Sequence, residues 1–239
     1  MGILDRKDVG RIMTVAMAVL LCAGPALAGD EGKTADMLVK VLKAGRLVVS
    51  EHQQIINDES KADKGFTPAY FETKWKEKYK EATKSDMPQH KLVAALVESG
   101  KEVVGEAQPL INRPGMGFKG FLPALWGRKA GEKFGQKTGI RLKQTSDHYR
   151  FAGNKPDDYE AEVLKQFSEA GYPKGQPLVK TVSMDGKQAL RYMSPEYAAK
   201  SCLSCHGEPK GDKDVTGMKK EGYKEGDLAG AISVVIPMP

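Results

Sequence analysis

Cysteine is scarce: the 239-residue chain has three, Cys22, Cys202 and Cys205. That rules out a disulfide-stapled scaffold and leaves no second cysteine pair for a closed zinc site, which takes about four Cys or His ligands. Histidine is nearly as rare, with four in all: His52, His90, His148 and His206. An apolar run long enough to span a bilayer, ~20 residues, is also missing, since the run over 12–23 is only about a dozen. No dense block of Lys and Arg interleaved with aromatics occurs, so nucleic acid is not an expected partner. The remaining composition is that of an ordinary globular chain, 40% hydrophobic and 28% charged.

Residues 1–28 have the layout of a secretory signal: Arg6, Lys7 and Arg11 at the start, the apolar run, then Ala26-Leu27-Ala28 as a small-x-small cleavage site. The expected mature chain begins at Gly29, lies in the periplasm and keeps no transmembrane segment. Its roughly 210 residues suit one sizeable domain or two small ones. Leu21 is bulky where lipoprotein processing at Cys22 needs a small residue, so Cys22 leaves with the signal. Cys202 and Cys205 then remain without a disulfide partner elsewhere. The formal charge of +6 falls by one with the signal; a basic surface suits an acidic redox partner or an anionic membrane, and lysines spread over helical segments equally suit plain solvation.

Against this background Cys202-Leu203-Ser204-Cys205-His206 is the most informative stretch, because Cys-x-x-Cys-His is the attachment site of a c-type haem. Each sulfur can form a thioether with one porphyrin vinyl group, and the adjoining histidine supplies a ring nitrogen to the iron. The expected cofactor is one covalent haem c per chain, held by Cys202 and Cys205, with His206 as metal ligand. A thioredoxin-like dithiol is the competing reading, but the pair lies near the C-terminus with no βαβ pattern around it.

The N-terminal half contains a duplication at a shift of 55 positions. Lys64-Gly65-Phe66-Thr67-Pro68-Ala69 matches Lys119-Gly120-Phe121-Leu122-Pro123-Ala124. Gln53, Ile56 and Asn57 match Gln108, Ile111 and Asn112, and Val48-Val49 match Val103-Val104. Copies over 37–83 and 92–138 each read as an amphipathic helix, a break at Gly-Phe-x-Pro and a second helix. They differ at His52, which matches Ala107. With so few histidines, His52 is the expected iron ligand opposite His206; an open or water-bound site, His148, Met116 and Met193 stay as alternatives.

From Gln176 the pattern turns to strands: a hairpin over 177–193 about Asp185-Gly186, a short helix over 196–201 that presents the haem motif, and a buried strand over 230–237. Asn154-Lys155-Pro156-Asp157 reads as a turn opening a helix over 158–167. Together with Thr145-Ser146-Asp147-His148-Tyr149-Arg150, the stretch 202–207, the stretch 226–234 and the two Lys-Gly-Phe-x-Pro-Ala helices, these segments resemble a family of exported c-type-haem proteins with a PAS-like domain, known from the cyanobacterial lumen and periplasmic sensor regions. The resemblance implies an α+β fold in which a PAS-like antiparallel sheet over 140–239 carries the haem and duplicated helical hairpins precede it, as a single domain over 29–239. It also implies electron transfer or redox or gas sensing. Arg150 suits a haem propionate, or a structural salt bridge to Asp157, Asp158 or Glu160.

The expected function is therefore a periplasmic monohaem cytochrome that passes single electrons to a redox partner protein, or a redox-responsive accessory protein. A haem-based sensor of redox state or a small gaseous ligand is the alternative, and a peroxidase-like enzyme the third reading. A homodimer stays open.

Overall fold

The 55-residue offset carries through to the backbone. The computed structural model describes residues 29–184 and 186–238, so the expected signal over 1–28 and Asp185 of the expected hairpin turn lie outside the described residues. Helices α1 (Gly29–Glu51), α2 (Gln53–Ile56) and α3 (Pro68–Thr83) are followed by α4 (Lys91–Glu106), α5 (Gln108–Ile111) and α6 (Pro123–Thr138), and shifting α2 and α3 by 55 positions gives the bounds of α5 and α6. Proline opens both α3 and α6, where its missing N–H costs no helical hydrogen bond.

The two hairpins hold each other. Gln53 donates to the Phe121 carbonyl and Gln108 to the Phe66 carbonyl, each at 2.9 Å. In the same reciprocal manner the Lys119 amide donates to Asn57 (2.8 Å) and the Lys64 amide to Asn112 (3.1 Å). Each Gly-Phe-x-Pro break is thus tied down by the opposite copy, which satisfies backbone groups that a free loop would leave to water. At the centre Gly45 of α1 and Gly100 of α4, again 55 apart, lie under the indoles of Trp75 and Trp126. The two rings meet edge to face with centroids 5.0 Å apart, and their N–H groups donate to the carbonyls of Val41 (2.7 Å) and Gly100 (3.1 Å).

Strands β1 (Arg141–Thr145), β2 (Leu178–Met184), β3 (Lys187–Tyr197) and β4 (Leu228–Pro237) form one antiparallel sheet in the order β1-β4-β3-β2. Alternation along the strands gives the sheet two faces. Leu190, Tyr192, Ile232, Val234 and Ile236 join the core of the helical hairpins, whereas Met193 and Ala231 pack against Val163, Leu164 and Phe167 of α7 (Asp158–Phe167). Because β4 is central and covered on both sides, it reads in sequence as a nearly continuous apolar run, interrupted only by the buried Ser233. Helix α1 is pinned along β3: the Tyr192 hydroxyl donates to Asp36 (2.8 Å), and Lys43 and Arg46 both reach Glu196 at 2.6 Å.

The fold is α+β, and two local expectations change. Strand β1 precedes the segment where strands were expected to begin; it lies against α6, whose Gly131 approaches so closely that a Cβ there would strike the Leu142 carbonyl. The short helix expected over 196–201 is displaced toward the C-terminus. Glu196 and Tyr197 instead continue β3 by pairing with Gly230 and Leu228 through a bulge, and the helical turn α8 (Leu203–His206) follows a 3₁₀ turn at Lys200–Cys202. Among the described residues no helix is long and apolar enough to cross a membrane.

Candidate functional site

The segment between β3 and β4 is closed at its neck, where the Ala198 amide donates to Asp227 O and the Gly226 amide to Ala198 O, each at 2.8 Å. Inside it, α8 and the preceding turn carry Cys202, Cys205 and His206. Three-residue spacing on a helical turn puts the two sulfurs on the same side, and both thiols are free and partly exposed. Gly207 ends the turn with its amide on Leu203 O (2.9 Å), in a position where a Cβ would sit 2.5 Å from that same oxygen.

The chain then doubles back. Amides of Gly222 (3.0 Å) and Tyr223 (2.8 Å) both donate to the His206 carbonyl, which brings the Glu221 carboxylate to the imidazole with Oε2 2.7 Å from Nδ1. Burial works to raise the Glu221 carboxyl, but hydrogen bonds from Arg150 and His206 hold it below the usual carboxylate range. An ionised carboxylate only accepts, so a ring proton sits on Nδ1, and Nε2 is the ring nitrogen turned away from Glu221. Among the described residues Nε2 has no hydrogen-bond partner.

Arg150 ties this arrangement together. Its guanidinium donates to both Glu221 oxygens (2.7 and 2.8 Å), to Asp214 Oδ2 (2.6 Å), and to the carbonyls of Cys205 (2.8 Å) and Lys219 (3.1 Å). Asp214 accepts through its other oxygen from the Thr216 amide and hydroxyl and from the Met218 amide. Among the described residues, four of the six large hydrophobic side chains left exposed adjoin these anchors in the chain: Tyr149 and Phe151 flank Arg150, Val215 follows Asp214, and Met218 precedes Lys219. The Tyr223 ring lies between two imidazoles, 6.2 Å from His206 and 6.2 Å from His148.

The Asp214 side chain is fully buried. Burial alone would raise its carboxyl, but Thr216 and Arg150 outweigh burial and hold it at about 2, against 3.8 when unfolded. A lowered carboxylate stabilises the fold fully above its unfolded value and loses that contribution as pH falls through the folded one, here between about pH 4 and pH 2, on the order of 2 kcal/mol. In acid titrations of stability, Asp214→Asn is expected to be less stable at neutral pH and to lose this part of the acid slope. An unchanged slope would show that Asp214 does not hold the loop.

Of the residues expected at the site, Cys202, Cys205, His206 and Arg150 come together, and His148 stands beside them across Tyr223. His52 does not join them. Its Nδ1 is 2.7 Å from Val48 O, its Nε2 is 3.0 Å from the Tyr70 hydroxyl, and its ring packs on Phe66 and Tyr70, all in the first hairpin. Met193 is buried under α7, and the Met116 carbonyl accepts from Lys119 Nζ. Arg150 pairs with none of Asp157, Asp158 and Glu160: Asp157 serves Arg141 and Arg191, and Glu160 serves Lys143. Glu221, Asp214 and Tyr223 were not foreseen, since they sit in a Gly- and Lys-rich loop where charged residues ordinarily face water. Among the described residues no group of three or more His, Cys, Asp or Glu side chains is arranged to hold a metal ion on its own.

Comparison with known proteins gives one family match. The model of the family described as Tll0287-like matches residues 29–237. Among solved structures, the crystal structure of the cyanobacterial haem protein Tll0287 is similar at 22% identity, with 62% of this chain and 94% of that chain covered and a TM-score of 0.44. No curated protein matches.

Proposed function

The chain belongs to the Tll0287-like family, and from that premise we propose that it is an exported monohaem c-type cytochrome, a periplasmic one-electron carrier or redox-responsive accessory protein whose haem is attached to a PAS-like sheet. The observation that carries the reading is the state of the Cys202–His206 turn. Both thiols are free and on one side of it, and His206 is fixed by Nδ1 with Nε2 left bare.

The residues present fit a haem. Two thioether-forming sulfurs and one imidazole nitrogen are the required donor set, and the exposed Tyr149, Val215 and Met218, each next in the chain to a residue that holds this loop, offer apolar surface to a porphyrin. Cys202 and Cys205 would hold the group covalently and His206 would ligate it. When bound, haem supplies a one-electron ferric/ferrous couple. Glu221 fixes the tautomer and orientation of His206. Arg150 spends its fork on Glu221 and Asp214, so its assigned part is to hold this loop rather than to reach a propionate.

The test is direct. Produced with a c-type maturation system and exported, the chain is expected to carry one haem that survives denaturing electrophoresis, and Cys202→Ser/Cys205→Ser is expected to lose it. A mature wild-type chain without haem overturns the proposal. Spectra with carbon monoxide then separate the roles: a low-spin spectrum that carbon monoxide leaves unchanged supports the carrier, and a carbonyl complex supports a gas sensor.

A further inference from the structure

We infer that Glu221 and Arg150 act as an opposed pair that sets the reduction potential of the site through His206: Glu221 lowers it, and Arg150 limits how far. The inference rests on the haem reading above and concerns two residues that need not touch the haem.

The geometry is specific. Glu221 Oε2 lies 2.7 Å from His206 Nδ1, and the side chain is only 10% exposed, so water screens the interaction little. A carboxylate that accepts the Nδ1 proton makes the opposite nitrogen a more basic ligand, which favours the ferric over the ferrous state. The main chain holds Glu221 in place independently of its charge, because the next two amides, Gly222 and Tyr223, are both bonded to the His206 carbonyl. Arg150 works against Glu221 on the same two oxygens. Its Nε and one terminal nitrogen donate to Oε1 and Oε2 at 2.7 and 2.8 Å, drawing carboxylate charge away from the imidazole. Hydrogen bonds between charged partners are roughly twice as strong as neutral ones, so the competition is substantial.

These opposed roles predict shifts of opposite sign. Glu221→Gln keeps the shape and removes the charge, and is expected to raise the potential by about a tenfold change in the ferric-to-ferrous ratio, roughly 59 mV for a one-electron couple. Arg150→Lys keeps the positive charge but loses the fork, frees Glu221 for His206 and is expected to lower the potential. If the two residues only hold the loop, both variants loosen it and both shifts have one sign.

The experiment is a potentiometric titration of the purified holoprotein and the variants Glu221→Gln, Glu221→Asp and Arg150→Lys, with haem content measured first. The expected result is a rise with Gln, a fall with Lys, and a return toward the parent value with Asp. On the parent protein itself, the His206 Nδ1 proton is expected as a strongly downfield NMR resonance that does not exchange rapidly. Variants that keep haem but leave the potential unchanged, or shift it in one common direction, overturn the inference. A rapidly exchanging or absent Nδ1 proton in the parent does so even if a variant fails to fold. A parent chain that carries no haem overturns the functional reading instead.

Discussion

Gly45→Ala is expected to destabilise the protein, by about 2 kcal/mol or more, although glycine-to-alanine inside a helix normally gains about 1 kcal/mol. The reversal comes from packing. A Cβ at Gly45 would run into Cη2 and Cζ3 of Trp126 and lie 2.8 Å from Cε2 of Trp75, and both indoles are fully buried with no room to retreat. Overfilling a close-packed core costs about 1–3 kcal/mol and more when rings must leave their rotamers, so the steric term exceeds the propensity gain. Gly100→Ala is expected to behave alike, because its Cβ would sit 2.5 Å from Trp75 Cζ3 and 2.7 Å from Trp126 Cζ2. Urea unfolding of single and double variants checks the cause. In a Trp126→Phe background, where the atoms nearest Gly45 are gone, the loss on Gly45→Ala should shrink, a non-additivity expected of residues in contact. A Gly45→Ala protein as stable as its parent would mean that the two indoles do not close on this glycine.

The duplication was readable because the matching residues have matching structural work: Gln53 with Gln108 and Asn57 with Asn112 bond the loops of the opposite copies. Sequence could not show that exchange, since identity at a fixed offset is silent on which copy receives the bond. The one difference that pointed to His52 was real but incomplete. Its partner Tyr70 matches Leu125, so the first copy has a polar His–Tyr pair where the second has Ala107 and Leu125, and the imidazole is used inside its own hairpin. The Asn154-Lys155-Pro156-Asp157 turn made α7 legible to the residue, and in the structure Asp157 and Glu160 close that start with a capping box. Strand β1 was illegible because Arg-Leu-Lys-Gln-Thr has little apolar alternation, and what holds it is its pairing with β4 and the close approach of α6. The Cys-x-x-Cys-His spacing named its own three residues. The residue that orients the imidazole, Glu221, is brought there only by a loop that folds back on itself, and no local spacing encodes that.

Glu160→Leu is the second change with a large expected effect, a loss of about 3–5 kcal/mol, because it strands buried positive charge. Glu160, in the first turn of α7, is fully buried, accepting from Lys143 Nζ at 2.7 Å and from the Asp157 amide at 3.0 Å through Oε2. Oε1 faces the guanidinium groups of Arg191 and Arg141 at 3.5 and 3.7 Å. Without Glu160, Arg141 and Arg191 share Asp157 alone, Lys143 keeps only the Lys155 carbonyl, and Arg191, whose side chain is 4% exposed, stays out of water's reach. Ionic groups are costly to bury singly and near break-even to replace together. Glu160→Leu combined with Arg191→Met is therefore expected to recover much of the loss, whereas Glu160→Gln, which keeps an acceptor for the Asp157 amide, should fall between parent and Leu. Urea midpoints of the four proteins decide the matter. If the double variant is no more stable than Glu160→Leu alone, stranded charge is not the cause, and the cost lies in the lost cap and in packing between α7 and the sheet.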